Sequence, residues 1–197
     1  MTLPEKALER LLSAYRRGGR LALLFDYDGT LVPIVEHPRL ARLDRATRGL
    51  LIRLMSRPRV FLGIISGRSL DDLKKMVRLP RVYYAGTGGL EVELLGVRIA
   101  HPQNARVTKL VTTLAERLHP VLDAYPRAWL ENKRLGLTIH YRAVAGERIP
   151  ALRAQVDAVL DCAAGELRIA DGPMAVEITP DVGWNKGTAI EMIVHPP

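Results

Sequence analysis

The amino-acid sequence predicts an α/β protein in which a smaller α+β domain is inserted into a doubly wound, Rossmann-like parallel core. Short apolar runs alternate with amphipathic helical patterns over residues 1–103, and strands that alternate with helices imply right-handed crossovers and a parallel sheet. Over residues 104–179 the order becomes helix, strand, strand, twice over, which is typical of an antiparallel sheet backed by two helices. We expect a core domain at 1–103 and 180–197 and an inserted domain at 104–179.

Capping residues begin the predicted helices of the core, and uncharged apolar runs form its predicted strands. Thr2 and Glu5 make a capping box before a helix with leucines on one face. Apolar runs of this length are typical of strands buried on both faces of a parallel sheet. The predicted helices begin at Thr2, Asp44, Ser69 and Asn185, and the predicted strands span residues 21–25, 60–65 and 82–85.

The inserted domain is predicted to expose one polar sheet face. Helices around residues 107–118 and 149–160 are each followed by two strands with alternating side chains, at about 128–133, 135–142, 166–170 and 174–179. One face is apolar and packs on the helices, whereas the other lacks an obvious cover and therefore indicates a hydrophilic ligand. Its predicted polar positions are Glu131, Lys133, Thr138, His140, Arg142 and Glu177.

Composition narrows the class of protein. The chain has 197 residues, 48% of them hydrophobic, and a formal charge of +8. Its basic residues are scattered and only 5% of residues are aromatic, so we expect no nucleic-acid partner. A single cysteine, Cys162, excludes an internal disulfide. Because that cysteine suits a reducing compartment and no apolar run reaches membrane-spanning length, we expect a cytoplasmic protein without a membrane anchor.

The most informative stretch follows the first predicted strand and contains Asp26 and Asp28, with Gly29 directly after them. Strand side chains alternate, so both carboxylates leave the strand end in the same direction, and the glycine permits a sharp turn. The carboxyl ends of parallel strands are where open α/β folds place their active sites. Such a pair can bind Mg²⁺ and divide the work of nucleophile and general acid.

Two further residues converge on the same sheet edge and favour phosphoryl transfer. Ser66 follows the second strand and Lys186 begins the last helix. A carboxylate can attack phosphorus while a metal, a hydroxyl and an ammonium group bind the phosphoryl oxygens. The second carboxylate must be protonated to assist the leaving alcohol, and a like charge nearby raises its pKa in that direction. Taken singly, each of these short motifs is more often a turn or a helix cap.

Together the motifs resemble the haloacid dehalogenase-like phosphatases and, among them, the trehalose-6-phosphate phosphatases. The resemblance extends from about Leu21 to Ile193. The part at 131–142 resembles the family's inserted cap domain and is the specific one, since the core motifs occur in many phosphatases. The matching segments are residues 24–31, 65–68, 89–91, 131–133, 137–142, 176–180 and 185–187.

The resemblance implies Mg²⁺-dependent hydrolysis of trehalose 6-phosphate to trehalose and phosphate in trehalose biosynthesis. It implies Asp26 as the nucleophile that forms an aspartyl-phosphate, and Asp28 as general acid and then base. Mg²⁺ would be held by the Asp26 carboxylate and the Asp28 main-chain carbonyl, while Ser66 and Lys186 would hold the phosphoryl group. The substrate-binding residues implied are Arg68, Gly89, Glu131, Lys133, Arg142, Glu177 and Asn185.

Departures from the family pattern leave alternatives open. Thr87 and Gly88 stand where relatives usually carry Asn or Ser and then His, and Pro173 replaces a Lys often found in the cap. Another sugar phosphate is therefore an alternative substrate, and a substrate panel discriminates the two.

Beyond Lys186 the family continues through two more core strands with an acidic metal-binding motif, whereas this chain ends after about a dozen residues. The chain can be truncated, can receive the remaining strands from a partner or a neighbouring reading frame, or can be a degenerate relative. We favour truncation, because Asp26, Asp28, Ser66 and Lys186 are all present. The third interpretation implies a non-catalytic protein that binds sugar phosphates.

Overall fold

The computed structural model describes residues 3–35, 37–172 and 174–195. The predicted cap at Thr2 and the departure at Pro173 therefore lie outside the described residues. The chain divides into two compact units, formed by residues 1–99 with 185–197 and by residues 100–184. Within the described ranges, no helix has the length and apolar character needed to cross a membrane.

The first unit is built on a five-stranded mixed sheet with the strand order β1-β2-β3-β4-β5. Strands β1, β2 and β3 are parallel, as predicted, and β4 is antiparallel to β3. The strands are β1 (Leu21–Asp26), β2 (Val60–Ile65), β3 (Tyr83–Gly86), β4 (Glu91–Leu94) and β5 (Val97–Ala100). The first three helices are α1 (Leu3–Arg16), α2 (Arg45–Met55) and α3 (Leu70–Val77).

Strands β4 and β5 correct the expectation of a wholly parallel sheet. They are joined by Leu95 and Gly96, whose φ angles are 51° and 93°. Two consecutive residues with positive φ make the tight turn that matches the twist of a hairpin. The alternation of Glu and apolar residues over 91–94, followed by a glycine, was the available signal for this hairpin.

The second unit contains an antiparallel sheet with the order β6-β7-β9-β8 and two helices. Its helices are α4 (Asn104–Asp123) and α5 (Ile149–Leu160), and its strands are β6 (Trp129–Asn132), β7 (Leu137–His140), β8 (Leu167–Gly172) and β9 (Ala175–Pro180). Its elements therefore follow in the order α4, β6, β7, α5, β8, β9. The chain then returns to the first unit with α6 (Lys186–Val194).

Helices cover both faces of the first unit's sheet, and this arrangement positions the strand ends. Leu62 and Ile64 of β2 belong to a buried cluster with residues of α2 and α3, whereas Ile65 packs with Ala189 and Ile193 of α6. Alternate residues of one strand thus enter two cores, as expected for a doubly wound fold. A mixed α/β architecture with parallel strands is confirmed.

Burial of Tyr84 in the first of these cores predicts a pH dependence of stability. Its hydroxyl donates to the Leu79 carbonyl oxygen at 2.8 Å, and burial raises the pKa of Tyr84 from its ordinary 10.0 to about 12. The neutral phenol is therefore favoured in the folded state, so its contribution is complete below pH 10 and is lost as the pH rises through 12. The size of that loss is about 2 to 3 kcal/mol.

We expect Tyr84→Phe to remove this part of the alkaline destabilisation. Denaturant unfolding at several pH values between 9 and 12 should give a shallower fall in unfolding free energy for the variant than for the wild type. Tyr83→Phe, at a partly buried tyrosine one residue away, is the control. Equal slopes for Tyr84→Phe and the wild type would contradict the assignment.

Candidate active site

Four polar side chains lie at the carboxyl edge of the parallel strands in the first unit, those of Asp26, Asp28, Ser66 and Lys186. Asp26 is the last residue of β1 and lies beside Ile65, the last residue of β2. Ser66 follows directly, and Asp28 comes two residues after Asp26. Between the two aspartates, Tyr27 is fully buried and anchors the chain.

A turn directly after the aspartates keeps them at this edge. Gly29 has a φ of +81°, which favours glycine because a side chain is strained there. Its N–H donates to the carbonyl oxygen of Val32 at 2.8 Å. The chain therefore reverses immediately after Asp28, as the sequence predicts.

Asp26 is paired with Lys186, which lies 160 positions later in the chain. The Lys186 Nζ is 2.6 Å from Asp26 Oδ1, and both side chains are about half exposed. Lys186 is the first residue of α6, so the ammonium group is placed by the packing of that helix on the sheet. The predicted nucleophile and phosphate-binding cation are thus brought together.

Asp28 is held by Arg68 through both carboxylate oxygens. The Arg68 Nε donates to one oxygen at 2.8 Å and Nη2 to the other at 2.6 Å. The guanidinium is nearly buried and also lies over the Tyr27 ring, 5.4 Å from its centroid. Burial raises the pKa of the Tyr27 phenol, and the nearby Arg68 charge opposes this to a smaller extent. A bidentate pair of this kind fixes the carboxylate in direction as well as position.

Ser66 is 1% exposed and belongs to a tightly bonded loop. Its Oγ accepts from the Arg68 N–H at 3.1 Å, and its own N–H donates to Ala85 of β3 at 2.9 Å. Ser66 therefore orients the backbone that presents Arg68. Any contact of its hydroxyl with a phosphoryl group stays a prediction.

The loop at residues 87–89 packs between this segment and the start of α6. Thr87 and Gly88 donate their N–H groups to the carbonyl oxygens of Arg68 and Ser66, at 2.6 and 3.0 Å. Thr87 is 1% exposed and has a φ of 47°, which is strained for a β-branched residue. Its hydroxyl has no hydrogen-bond partner among the described residues.

Gly89 and Asn185 fix the start of α6 relative to that loop. A Cβ on Gly89 would lie 2.3 Å from the Asn185 carbonyl oxygen, and the φ of Gly89 is +103°. The Asn185 side chain accepts from the N–H groups of Gly187 and Thr188, at 2.7 and 3.3 Å, as the helix N-cap. Both predicted substrate-binding residues thus have structural contacts that place Lys186.

The second unit presents the predicted carboxylates on one face of its sheet. Glu131 of β6 lies opposite Thr138 of β7, and Thr138 opposite Glu177 of β9. Glu177 is exposed, whereas Lys133 is buried in the loop that follows β6. The carboxylates therefore share the predicted face.

Arg142 lies beyond the end of the strand that was predicted to carry it. Strand β7 ends at His140, and the Val144 N–H donates to the Tyr141 carbonyl oxygen at 3.0 Å. This hydrogen bond closes a turn that contains Arg142, so the prediction that the strand extends to Arg142 is wrong. A role of Arg142 in substrate binding stays a prediction.

Sequence reasoning singled out no role for His140 or Trp129, although both lie beside Glu131. His140 Nε2 is 2.8 Å from Glu131 Oε2, and the Trp129 and His140 rings are stacked with centroids 4.0 Å apart. The alternation along β7 placed His140 on the polar face, but its partners follow only from the cross-strand register.

The oxygen donors at this sheet edge are of the type that a hard cation binds, but they are few. Among the described residues, no group of three or more His, Cys, Asp or Glu side chains could hold a metal ion. Asp26 and Asp28 remain as the pair at the strand end. Since Mg²⁺ often binds through one or two carboxylates with water and substrate phosphate completing its shell, this pair fits a weak magnesium site.

The chain is similar to known proteins both in sequence and in structure. The trehalose-phosphatase family model matches residues 24–196. The chain is 35% identical over 184 residues to a trehalose-phosphate phosphatase of Mycobacterium avium, covering 90% of this chain and 45% of that protein. It is 38% identical over 190 residues to an uncharacterized glycosyl hydrolase of Mycobacterium tuberculosis, covering 94% of this chain and 14% of that protein.

Solved structures show the same similarity in three dimensions. The C-terminal domain of a C. albicans trehalose-6-phosphate phosphatase superposes with a TM-score of 0.81 at 25% identity, covering 95% of this chain and 66% of that one. A trehalose-6-phosphate phosphatase related protein superposes with a TM-score of 0.77 at 23% identity, covering 87% and 72%. By contrast, this chain spans less than half the length of the two mycobacterial relatives.

Proposed function

We infer, since this chain belongs to the trehalose-phosphatase family, that it hydrolyses trehalose 6-phosphate to trehalose and phosphate in trehalose biosynthesis. The observation that carries this proposal is the 2.6 Å pair of Asp26 and Lys186 at the carboxyl edge of β1, with Asp28 two residues beyond. That edge is where open α/β folds bind their ligands.

In the proposed first step an Asp26 oxygen attacks the phosphorus and the bond from phosphorus to the sugar oxygen breaks. Asp28 gives its proton to the leaving sugar oxygen, so an aspartyl-phosphate and free trehalose result. In the second step Asp28 takes a proton from water, which attacks the phosphorus and releases phosphate. Lys186 stays beside the phosphoryl oxygens throughout and balances their charge.

The Arg68 contact adds a requirement to this sequence. Both oxygens of Asp28 accept from Arg68, so one of them must leave the guanidinium before it can carry a proton to the sugar. The N–H group that Asp28 releases can then donate to a phosphoryl oxygen, a geometry for which guanidinium is well suited. Exchange of Arg68 between Asp28 and the phosphoryl group is thus part of the proposed mechanism.

Mg²⁺ would be held by the Asp26 carboxylate and the Asp28 main-chain carbonyl. When bound, the ion neutralises charge between the nucleophile and the phosphate. Water and substrate oxygens would complete the coordination, because the described residues bring no third carboxylate to the pair.

The second unit is proposed as the cap domain that recognises the sugar. Its polar face offers carboxylates that accept from hydroxyl groups, and Lys133, in the loop after β6, adds an ammonium group that can donate to them. Glu131, Lys133 and Glu177 are the residues assigned to the glucose hydroxyls. We also propose that this domain spans residues 104–179, as the sequence predicts. The protein is proposed to act in the cytoplasm.

Phosphate release tests this function directly. Trehalose 6-phosphate, glucose 6-phosphate and other sugar phosphates should be compared at equal concentrations with Mg²⁺, and trehalose 6-phosphate should give the highest kcat/KM. Faster turnover of another sugar phosphate would favour the alternative substrate left open by Thr87 and Gly88. Binding without turnover would favour a non-catalytic relative. The observation that supports this alternative is that the Asp26 and Asp28 carboxylates are already paired with Lys186 and Arg68.

A further inference from the structure

The polar face of the second unit contains a side-chain pair of which the proposed function uses only one member, Glu131. His140 and Glu131 lie on neighbouring strands, with His140 Nε2 2.8 Å from Glu131 Oε2. Because a carboxylate oxygen accepts hydrogen bonds, the Nε2–H group of His140 is the donor and the Glu131 carboxylate the acceptor. The two side chains are 21% and 22% exposed, so the contact is shielded but reachable.

The imidazole itself is held by Trp129. The two residues are cross-strand partners in register, and their rings are stacked with centroids 4.0 Å apart and planes 14° apart. Aromatic stacking on one side and a hydrogen bond at Nε2 leave the ring little rotational freedom. The hydrogen bond from His140 to the Glu131 carboxylate therefore comes from a ring that Trp129 holds in place.

The same face has hydrogen-bonding capacity that the described residues do not use. Thr138 lies between Glu131 and Glu177 in the register, is 2% exposed, and has a hydroxyl without a partner in the described part of the chain. Buried unpaired hydroxyls are uncommon in folded proteins and require an explanation. A ligand that contacts the flanking carboxylates and also hydrogen-bonds to the Thr138 hydroxyl is such an explanation.

We propose that His140 is a positioning residue for sugar recognition: it holds the Glu131 carboxylate in the direction in which it accepts from a sugar hydroxyl. The inference rests on the proposed function, in which Glu131 binds the glucose part of the substrate. A carboxylate fixed in advance loses less side-chain freedom on binding than one that rotates, so the ligand binds more tightly.

Kinetics of two variants separate this role from a merely structural one. His140→Leu removes the donor, His140→Gln keeps an N–H of similar reach, and His119→Leu, on the exposed side of α4, is the matched control. We expect His140→Leu to raise KM for trehalose 6-phosphate about tenfold while kcat changes by less than about twofold. His140→Gln should recover most of the loss, and His119→Leu should match the wild type.

A phosphate ester without a sugar supplies the decisive contrast. Hydrolysis of 4-nitrophenyl phosphate should be unchanged in His140→Leu, because that ester has no hydroxyl groups for Glu131. Equal losses on both esters, an unchanged KM, or no rescue by glutamine would overturn the positioning role.

If the wild type hydrolyses neither ester, the proposed function fails while the inference can still be judged. Trehalose binding to the same variants is then measured by saturation-transfer NMR. Weaker binding in His140→Leu with recovery in His140→Gln supports the inference. Equal binding in all variants, or none in the wild type, overturns it.

Discussion

Asp26→Asn should abolish phosphate release from trehalose 6-phosphate, with a loss on the order of 10⁴-fold or more. The amide has nearly the same shape as the carboxylate but is neutral and a far weaker nucleophile, so no aspartyl-phosphate forms. Asp26 ends a strand and its side chain is 40% exposed, so the fold should persist. Phosphate release and thermal unfolding should be measured on the same preparation.

Asp157→Asn provides the matched control for that loss. Asp157 lies on the exposed side of α5, so the same change of charge there should leave turnover unaltered. If Asp26→Asn keeps more than about a hundredth of the wild-type rate, covalent catalysis by Asp26 is excluded.

Gly89→Ala should impair the candidate active site because it displaces the first residues of α6. The added Cβ would lie 2.3 Å from the Asn185 carbonyl oxygen, and backbone atoms cannot move aside as a flexible side chain can. Relief requires displacement of Asn185 and with it Lys186, which would lose its 2.6 Å contact with Asp26. We expect a loss of unfolding free energy of about 3 kcal/mol and a drop in kcat of about 100-fold.

The neighbouring glycine separates this steric effect from backbone strain. Gly88 also has a positive φ, 65°, but a Cβ there meets no atom within 4 Å. Gly88→Ala should therefore cost only about 1 kcal/mol and keep most of the activity. Equal effects of the two substitutions, in unfolding and in kcat, would show that the Gly89–Asn185 contact does not position Lys186.

Much of the first unit could be predicted from local signals. The aspartates follow an apolar run with no charge, and the helix starts carry side chains that cap them, as Asp44 and Ser69 do by accepting from Thr47 and Asp72 N–H groups. These features depend on residues within a few positions of one another, so a single sequence is enough to predict them.

The features missed depend on contacts between distant segments. The bidentate pair of Arg68 and Asp28 joins residues 40 positions apart, and the stacking of Trp129 on His140 follows from strand register. Arg142 was misplaced because apolar and polar residues alternate past the end of β7, while a turn closed by Val144 ends the strand. Alternation alone does not mark where a strand stops.

The geometry also changes how Asp28 is understood. From its position beside Asp26, a like charge was expected to govern its protonation. In the structure its nearest charged partner is the Arg68 guanidinium, at 2.6 Å. In the proposed mechanism, proton transfer by Asp28 therefore requires its release from Arg68 as well as its proximity to Asp26.

The most direct test of the proposed mechanism is detection of the phosphoryl group on Asp26. Asp28→Asn lacks the base that assists water, so it should retain the aspartyl-phosphate longer than the wild type does. After acid quenching with trehalose 6-phosphate and Mg²⁺, mass spectrometry should find one added phosphoryl group on the peptide that contains Asp26. Phosphate release by the wild type, with no such adduct on either protein at any time, would contradict the proposed mechanism.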